Sequence, residues 1–438
     1  VDGPLNRPNP VGGFVLAAPS SGAGKTTVTL GILRALSRAS HSIRSAKSGP
    51  DYIDPQFHAA ATGHPCVNLD AWAMTPERLK SLASGAGDLI VEGAMGLFDG
   101  APPDGRGSTA ELAKALKLPV VLIVDAKAMS QSITALVGGF MAHDKDVKIA
   151  GAILNHVGSE RHADMLKTAL APLKIPVLGA IPRSSELSRP SRHLGLVQAG
   201  EMPDLNAFLN KAADIVAENV DLRALKALAA PSDWPVAQPV KNAPRRIAVA
   251  RDAAFSFTYP HMLRDWDQSG ATILPFSPLA DEPVPEADRL FLPGGYPELY
   301  AATLASNATF IQSLKYAAQE TDIYGECGGY MMLGETLIDA EGTPHKMAGL
   351  LGLTTSFKER KLHLGYRSLT QLAQHPLTYN TPNHRTYAAH EFHYASTLSA
   401  DGTPLFNATN AEGTPLGPMG LIEGRVAGSF AHIIDPIN

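Results

Sequence analysis

The chain has 438 residues and a net charge of −5, with 45% hydrophobic and 18% charged residues. That length exceeds one ordinary core and points to two domains, and the mix excludes a disordered or fibrous chain. No long basic block is present, which excludes the electrostatic footprint of a nucleic-acid binder and leaves any anionic substrate to be met by local Arg and Lys.

The opening VDGPLNRPNPVGG is polar and Pro-rich and is assigned no role. No apolar run reaches the ~18–20 residues that cross a bilayer, so no membrane partner is expected. Cys66 and Cys327 are too few and too far apart to staple a chain of this size, which fits a reducing, cytoplasmic setting. Cys66, in GHPCVNL, reads as a small packing residue.

From residue 14 onward, short apolar runs alternate with helix-length segments: FVLAA (14–18), LIV (89–91), VVLIV (120–124), IAGAIL (149–154) and VLGAI (177–181). Runs rich in Val and Ile with helical spacers predict a parallel sheet covered on both faces, hence a doubly wound α/β domain over 14–227. After the first run, Val28, Ile32, Leu33 and Leu36 recur on one helical face. Between strand and helix lies APSSGAGKTT (18–27), a Gly-rich phosphate loop in its proper context. Ser21, Gly22, Ala23, Gly24, Lys25, Thr26 and Thr27 are the expected ATP contacts: backbone N–H groups cradle phosphates, Lys25 supplies charge and Thr26 offers a hydroxyl to Mg²⁺. Pro19 stands where the usual first Gly would be, so the loop belongs to a variant class.

KSGPDYIDPQFH (47–58) and LIVEGAMGLFDG (89–100) follow. Glu92 ends a buried strand, and ligands in open sheets gather at the carboxyl ends of strands. Thr26, Asp51 and Glu92 form the expected Mg²⁺ site, since Mg²⁺ prefers hard oxygen donors. Lys47, Asp54 and Asp99 are expected at the substrate. Each Asp taken singly also fits a turn former or a helix cap, and the cluster gains meaning only if the loops converge. Asn155 ends another strand, where an amide suits an adenine edge; Asp125 reads as structural. IPRSSELSRPSRHLGLV (181–197) concentrates Arg183, Arg189, Arg192 and His193, forks suited to a carboxylate-rich ligand, with Arg192 and His193 assigned to it.

Residues 228–244 hold four Pro without apolar periodicity and read as a linker. Over 245–438 the strand pattern restarts with RRIAVARD, DRLFLPGG and TDIYGECGG, a second doubly wound domain. GECGG places Cys327 on a sharp strand-to-helix turn, the nucleophile-elbow arrangement, where the helix N-terminus is expected to lower the thiol pKa. A thiol nucleophile needs an oxyanion hole and a base. Backbone N–H groups around Gly295 and Tyr296 in PGGYPE, with Gly328, are expected to supply the first, and His432 in GSFAH the second. His390, Glu391 and His393 in AAHEFHY are further candidates, read as substrate or interdomain contacts.

On SSGAGKTT, KSGPDYIDPQFH, VEGAMGLFDG, RHLGLV, PGGYPE, YGECGGYMMLG, HEFHY and GSFAH, the chain resembles the cobyrinic acid a,c-diamide synthase family, with its hydrogenobyrinic acid relatives in corrin biosynthesis, over residues 14–434. The resemblance implies a dethiobiotin-synthetase-like P-loop domain joined to a class I glutamine amidotransferase domain of flavodoxin-like fold. It implies a glutamine-hydrolysing carbon–nitrogen ligase with Cys327 as nucleophile and His432 as acid and base, Mg²⁺ as cofactor and ATP as substrate. Glutamine and cobyrinic or hydrogenobyrinic acid are the other implied substrates, and a homodimer is compatible with it. Many class I amidotransferases carry Glu two residues after the His; here Ile434 stands there, so the implied relay is a Cys–His dyad with Asp435 a weak third candidate. Cobyric acid synthase is the nearest rival, opposed by KSGPDYIDPQFH. A P-loop switch protein with a glutamine-sensing domain is the rival from another class, opposed by an intact GECGG.

Overall fold

A computed structural model of the chain describes residues 12–39, 41–184, 191–192, 195–196, 198–232, 234–235, 245–376 and 386–437. The chain divides into two units, Val1–Ala237 and Gln238–Asn438. That division falls inside the Pro-rich segment, part of which lies outside the described residues. Ala230 and Pro231 are not linker in conformation, because they pair antiparallel with Gly13 and Gly12.

The first unit is built on parallel strands β1 (Gly12–Ala17), β2 (Ile43–Ser48), β3 (Val67–Leu69), β4 (Asp88–Glu92), β5 (Val120–Asp125), β6 (Ile149–Val157) and β7 (Val177–Pro182), in the order β3-β2-β4-β1-β5-β6-β7. β1 is buried along its whole length and β5 along all but its last residue. Continuous apolar runs are what strands covered on both faces require. β2 and β3 lie where apolar runs predict no strand. IRSAKS in β2 is polar yet buried at Ser45, Lys47 and Ser48. Helix α1 (Lys25–Arg38) turns the predicted face inward, burying Val28, Ile32, Leu33 and Leu36. Helix α2 (Asp54–Thr62) opens with Pro55 in its first turn, where a missing N–H costs nothing.

The register sets the site. Glu92 at the end of β4 pairs with Leu16 of β1 on one side and Lys47 of β2 on the other. Chain connections run to opposite sides of β1 here, so a crevice opens beyond the carboxyl ends of these strands.

In the second unit, strands Thr272–Phe276, Arg246–Ala250, Arg289–Leu292, Asp322–Glu326 and Val426–Ser429 are parallel neighbours in that order. This is the expected α/β half. The same sheet then continues antiparallel through Pro415–Glu423, Thr403–Asn410, His363–Gln371, Thr386–His393 and Ala431–Pro436, an extension that the doubly wound expectation does not contain. Segments such as TYAAHEFH are extended, and hairpins rather than helical crossovers join most of this half. Only Phe430 separates Val426–Ser429 from Ala431–Pro436, although four strands lie between them in the sheet order. The sheet therefore curls back on itself. A separate small sheet takes Thr336–Ile338, Pro344–Lys346, Gly352–Ser356 and Ser396–Asp401. Among the described residues, no helix is long and apolar enough to cross a membrane.

Candidate active sites

In the first unit the phosphate loop leaves β1 and enters α1 through Gly24, whose φ of +78° is left-handed and suits Gly. A side chain there would also collide with Asn155, because a Cβ would come within 2.3 Å of Nδ2. Asn155 Nδ2 donates to the Ala23 carbonyl at 2.9 Å. The amide expected to read adenine is thus engaged, through its donor, in holding the loop. His156 reaches the same place, with Nε2 3.3 Å from Asn155 Nδ2 and Nδ1 2.9 Å from Asp125 Oδ1. The loop after Glu92 docks beside it: Gly93 N–H donates to Leu16 O and Leu97 N–H to Ala18 O, each at 2.8 Å.

Three acidic side chains and two lysines meet at the first turn of α1. Thr26 Oγ1 donates to Glu92 Oε1 at 2.5 Å and lies 3.4 Å from Asp54 Oδ2. Lys47 Nζ, buried, lies 2.6 Å from Asp54 Oδ2, 2.9 Å from Glu92 Oε1 and 3.8 Å from Asp51 Oδ2. Lys25 Nζ is 3.8 Å from Glu92 Oε1. Burial alone would favour a neutral Glu92, but Lys47, His58 and Lys25 outweigh it and hold the carboxyl well below its usual range. Burial and the neighbouring Asp54 push Asp51 up to about 6. Burial likewise lowers Lys25, with Glu92 opposing.

Asp51 has the turn-forming role open to any Asp at such a place: its Oδ1 accepts the N–H groups of Ile53 and Asp54 at the start of α2, while Oδ2 faces Lys47. Asp54, expected at the substrate, sits among the acids beside Thr26. Asp99 is exposed and its Oδ2 accepts the Gly96 N–H at 2.9 Å, closing the loop turn. Ser21 and Gly22 are exposed, as groups facing a ligand must be. Arg183 is exposed after β7; Arg189 and His193 lie outside the described residues, and Arg192 is described only as part of a short strand paired with Gly195–Leu196.

Sequence reasoning missed His58. Its Nε2 lies 2.6 Å from Glu92 Oε2 and its Nδ1 3.5 Å from the Cys66 sulfur. Burial works against a charged ring, but Cys66 and Glu92 prevail and push His58 up to about 10, so an imidazolium backs the Glu92 carboxylate. The helical spacing of Asp54 and His58, one turn apart, is the signal that relates them.

In the second unit Cys327 follows the strand Asp322–Glu326 and precedes the helix Gly328–Leu333, with φ 45° and ψ −100°. A non-Gly residue at positive φ is strained, and here it is pinned by Cys327 N–H donating to Ser429 O at 2.8 Å and Gly329 N–H to Pro293 O at 3.0 Å. The expected lowering of the thiol pKa is not what these surroundings give. Burial raises it, Glu298 adds to the rise, and the Gly328 N–H only partly offsets them. Cys327 therefore needs a base rather than a helix end.

His432, the expected base, lies beside the cysteine. A Cβ built on Gly294 would fall 2.2 Å from His432 Cε1, 2.9 Å from Nε2 and 3.2 Å from Cys327 Cβ, so the imidazole and the cysteine flank one glycine. The Gly295 nitrogen is 3.1 Å from the Cβ position of Gly328, which brings the two expected oxyanion segments together. Tyr296 packs edge-on against Phe257, with centroids 5.1 Å apart. Ile434 is fully buried, and its carbonyl accepts from His261 Nε2 at 2.9 Å. Two acids near the relay escaped the sequence reading: Glu326 and Glu298. Burial pushes Glu298 up to about 7.

Of AAHEFHY, His390 faces His432 in register, while Glu391 and His393 belong to a network of the sheet. Donor atoms of His363, Glu391 and His393 lie within 4.8 Å of one another. A cation is nevertheless a poor fit. The imidazoles of His363 and His393 stack at 4.6 Å with planes 7° apart, so their in-plane lone pairs run alongside each other, and Glu391 already takes Arg367 Nε at 2.7 Å and His393 Nε2 at 2.8 Å.

Residues 14–197 match the family model of the CobQ/CobB/MinD/ParA nucleotide binding domain, and residues 246–435 that of the CobB/CobQ-like glutamine amidotransferase domain. Among curated relatives, the chain is 53% identical over 438 residues to "Hydrogenobyrinate a,c-diamide synthase" of Brucella anthropi, covering 97% of this chain and 98% of that one. Proteins of the same name from Rhodobacter capsulatus and Rhizobium meliloti are each 51% identical over 431 residues, covering 96% and 97% of this chain and 98% and 99% of theirs.

Proposed function

The chain belongs to the hydrogenobyrinate a,c-diamide synthase family, and from that premise we propose how its two sites divide the work. It is an ATP- and glutamine-dependent ligase of cobalamin biosynthesis that amidates the a and c acetate carboxylates of the macrocycle, through a phosphorylated carboxylate and ammonia from glutamine.

In the glutaminase site, Cys327 Sγ attacks the glutamine carboxamide as its proton passes to His432 Nε2. N–H groups at Gly295, Tyr296 and Gly328 receive the oxyanion. His432 returns the proton to the leaving nitrogen, ammonia departs and water hydrolyses the thioester to glutamate. What supports this reading is the seating of His432 and Cys327 about Gly294, together with a raised thiol that cannot ionise unaided.

In the ATP site, a carboxylate of the macrocycle takes the terminal phosphoryl group of ATP, and ammonia then displaces phosphate. A carboxylate is a poor acyl donor, and the mixed anhydride supplies a leaving group whose charge Lys25 stabilises. Phosphates lie on the N–H groups of residues 21–27 at the start of α1. The donor set suits Mg²⁺: carboxylate oxygens of Glu92 and Asp54 already meet on a cation, the Lys47 ammonium, Asp51 faces it, and the Thr26 hydroxyl lies against both carboxylates. Thr26, Asp51 and Glu92 would hold the ion, and bound there it supplies neutralisation of phosphate charge. Lys47 and Asp54 orient the reacting carboxylate; Asp99, Arg192 and His193 are assigned to the macrocycle from the sequence.

The observation that carries the reading is the convergence of Thr26, Lys25, Lys47 and Glu92 on one helix N-terminus in a chain that also holds the strained Cys327. The test offers hydrogenobyrinic and cobyrinic acids separately with ATP, Mg²⁺ and glutamine and reads products by mass. Conversion of two carboxylates to amides is expected; ATP turnover with an unaltered macrocycle would overturn the reading and favour a switch protein.

A further inference from the structure

The relay lacks the acid that many class I amidotransferases place two residues after the histidine. Ile434 occupies that position, is wholly buried and uses its carbonyl elsewhere. A histidine that accepts a proton in a buried site still requires something to fix its ring and to offset its charge.

The residue immediately before the nucleophile meets both requirements. Glu326 ends the strand Asp322–Glu326 and is 1% exposed. Its Oε1 accepts the Ile433 N–H at 2.9 Å, which ties the carboxylate to the residue following His432. Its Oε2 lies 3.5 Å from His432 Nδ1. The other ring nitrogen, Nε2, is the one near Gly294 and thus on the side of Cys327. The two edges of the imidazole therefore face different partners: thiol on one, carboxylate on the other. Catalytic hydrogen bonds are often long before substrate binds, so a separation of 3.5 Å is compatible with a contact that tightens in the reacting complex.

We infer that Glu326 is the positioning residue of the glutaminase relay, its carboxylate orienting His432 and stabilising the positive charge that His432 acquires on taking the Cys327 proton. Burial raises the Glu326 carboxyl, with His432 and the Ile433 N–H opposing, and Glu326 itself exchanges no proton in the reaction. The proton goes from Cys327 Sγ to His432 Nε2, the S–C bond forms, and the same proton leaves with ammonia when the C–N bond breaks. Glutamine and water give glutamate and ammonia, with no further reactant.

Other charged or titratable groups around the relay do not take this role. His390, opposite His432 in register, is pushed down to about 3 by burial, His432 and Arg367, and is neutral. Glu391 is committed to Arg367 and His393. Glu298 acts on the Cys327 side, where a negative charge opposes thiolate formation. Tyr324, on the same strand as Glu326, is kept neutral by burial and by Glu326. Asp435, buried on the His432 strand, is the remaining alternative and serves as the comparison.

The inference rests on the proposed roles of Cys327 and His432, and the experiment separates the two. Glutaminase kcat/KM is measured against pH for the full-length chain and for Cys327→Ala, Glu326→Gln, Glu326→Asp and Asp435→Asn, with melting temperatures alongside. Glu326→Gln retains the acceptor for Ile433 N–H but not the charge. It is expected to lower kcat by about 10²-fold or more with KM within roughly threefold, and to move the acid limb of kcat/KM to lower pH, because the protonated base has lost its counter-charge. Glu326→Asp keeps the charge and is expected to hold the limb in place while kcat falls less. A limb unmoved in Glu326→Gln, the same profile in Gln and Asp variants, or a shift produced by Asp435→Asn instead overturns the inference. If Glu326→Gln fails to fold, the comparison of Glu326→Asp and Asp435→Asn with the parent decides, since an unmoved Asp435→Asn limb is required. Glutaminase surviving in Cys327→Ala would sink the underlying reading itself.

Discussion

At Gly294 a single hydrogen in place of a side chain leaves room for both Cys327 and the His432 imidazole. An added Cβ would stand 2.2 Å from His432 Cε1, so Gly294→Ala must displace the imidazole. Because a misplacement of about 1 Å can cost roughly 10²-fold, Gly294→Ala is expected to lower glutaminase kcat by at least about 10²-fold with little change in melting temperature; near-parental turnover would mean that His432 does not act there. Glu92 is the corresponding residue of the other unit. Its carboxylate meets Thr26, Lys25, Lys47 and His58, and Glu92→Gln is expected to cost amidation about 10²-fold or more without loss of basal glutamine hydrolysis. An unchanged diamide yield would remove Glu92 from the site. Both residues were visible in the sequence, Gly294 as part of PGGYPE and Glu92 as an acid ending an apolar run. Glu326 was visible only as a neighbour of Cys327, because its meaning comes from Ile433 and His432, 107 residues away for the hydrogen bond.

Strands with Val and Ile runs were legible because burial on both faces demands such runs; β2 was not. IRSAKS conceals a strand whose polar residues are buried because Lys47 pairs with Asp54 and Glu92, and an ion pair across elements leaves no local trace in composition. The antiparallel half of the second unit was missed because strands such as TYAAHEFH and HLGYRSLTQ carry no long apolar run, and they declare themselves only in the pairing of Thr386–His393 with both His363–Gln371 and Ala431–Pro436. In that ladder Glu391 is held down to about 2, burial being outweighed by His393 and Arg367. A carboxyl lowered on folding stabilises above its unfolded pKa of about 4.3 and loses that contribution as pH falls through about 2. Glu391→Gln leaves the half-buried Arg367 without its charged partner and is expected to cost roughly 2 kcal/mol near neutrality. The gap in melting temperature between parent and variant should narrow from about pH 5 toward about 2; a gap constant with pH would refute the ion-pair account.

For the molecule as a whole, the two units keep separate chemistry: a thiol that needs a base in one, and a phosphate loop ringed by Thr26, Lys25, Lys47 and Glu92 in the other. Motif order along the chain made this division legible, since each motif sits at the end of a strand in its own half. The pairing of Glu92 with His58 and the curling of the second sheet were not legible, because both depend on contacts between elements remote in sequence.

Whether nitrogen released in one unit is captured in the other is read by comparing nitrogen sources in two variants. Macrocycle amidation is followed by mass with glutamine or with ammonium as donor, in Cys327→Ala and in Lys25→Met. Cys327→Ala is expected to lose amidation from glutamine while retaining it from ammonium, and Lys25→Met to lose it from both by about 10²-fold or more. Amidation from glutamine in Cys327→Ala, or full amidation in Lys25→Met, would contradict the account.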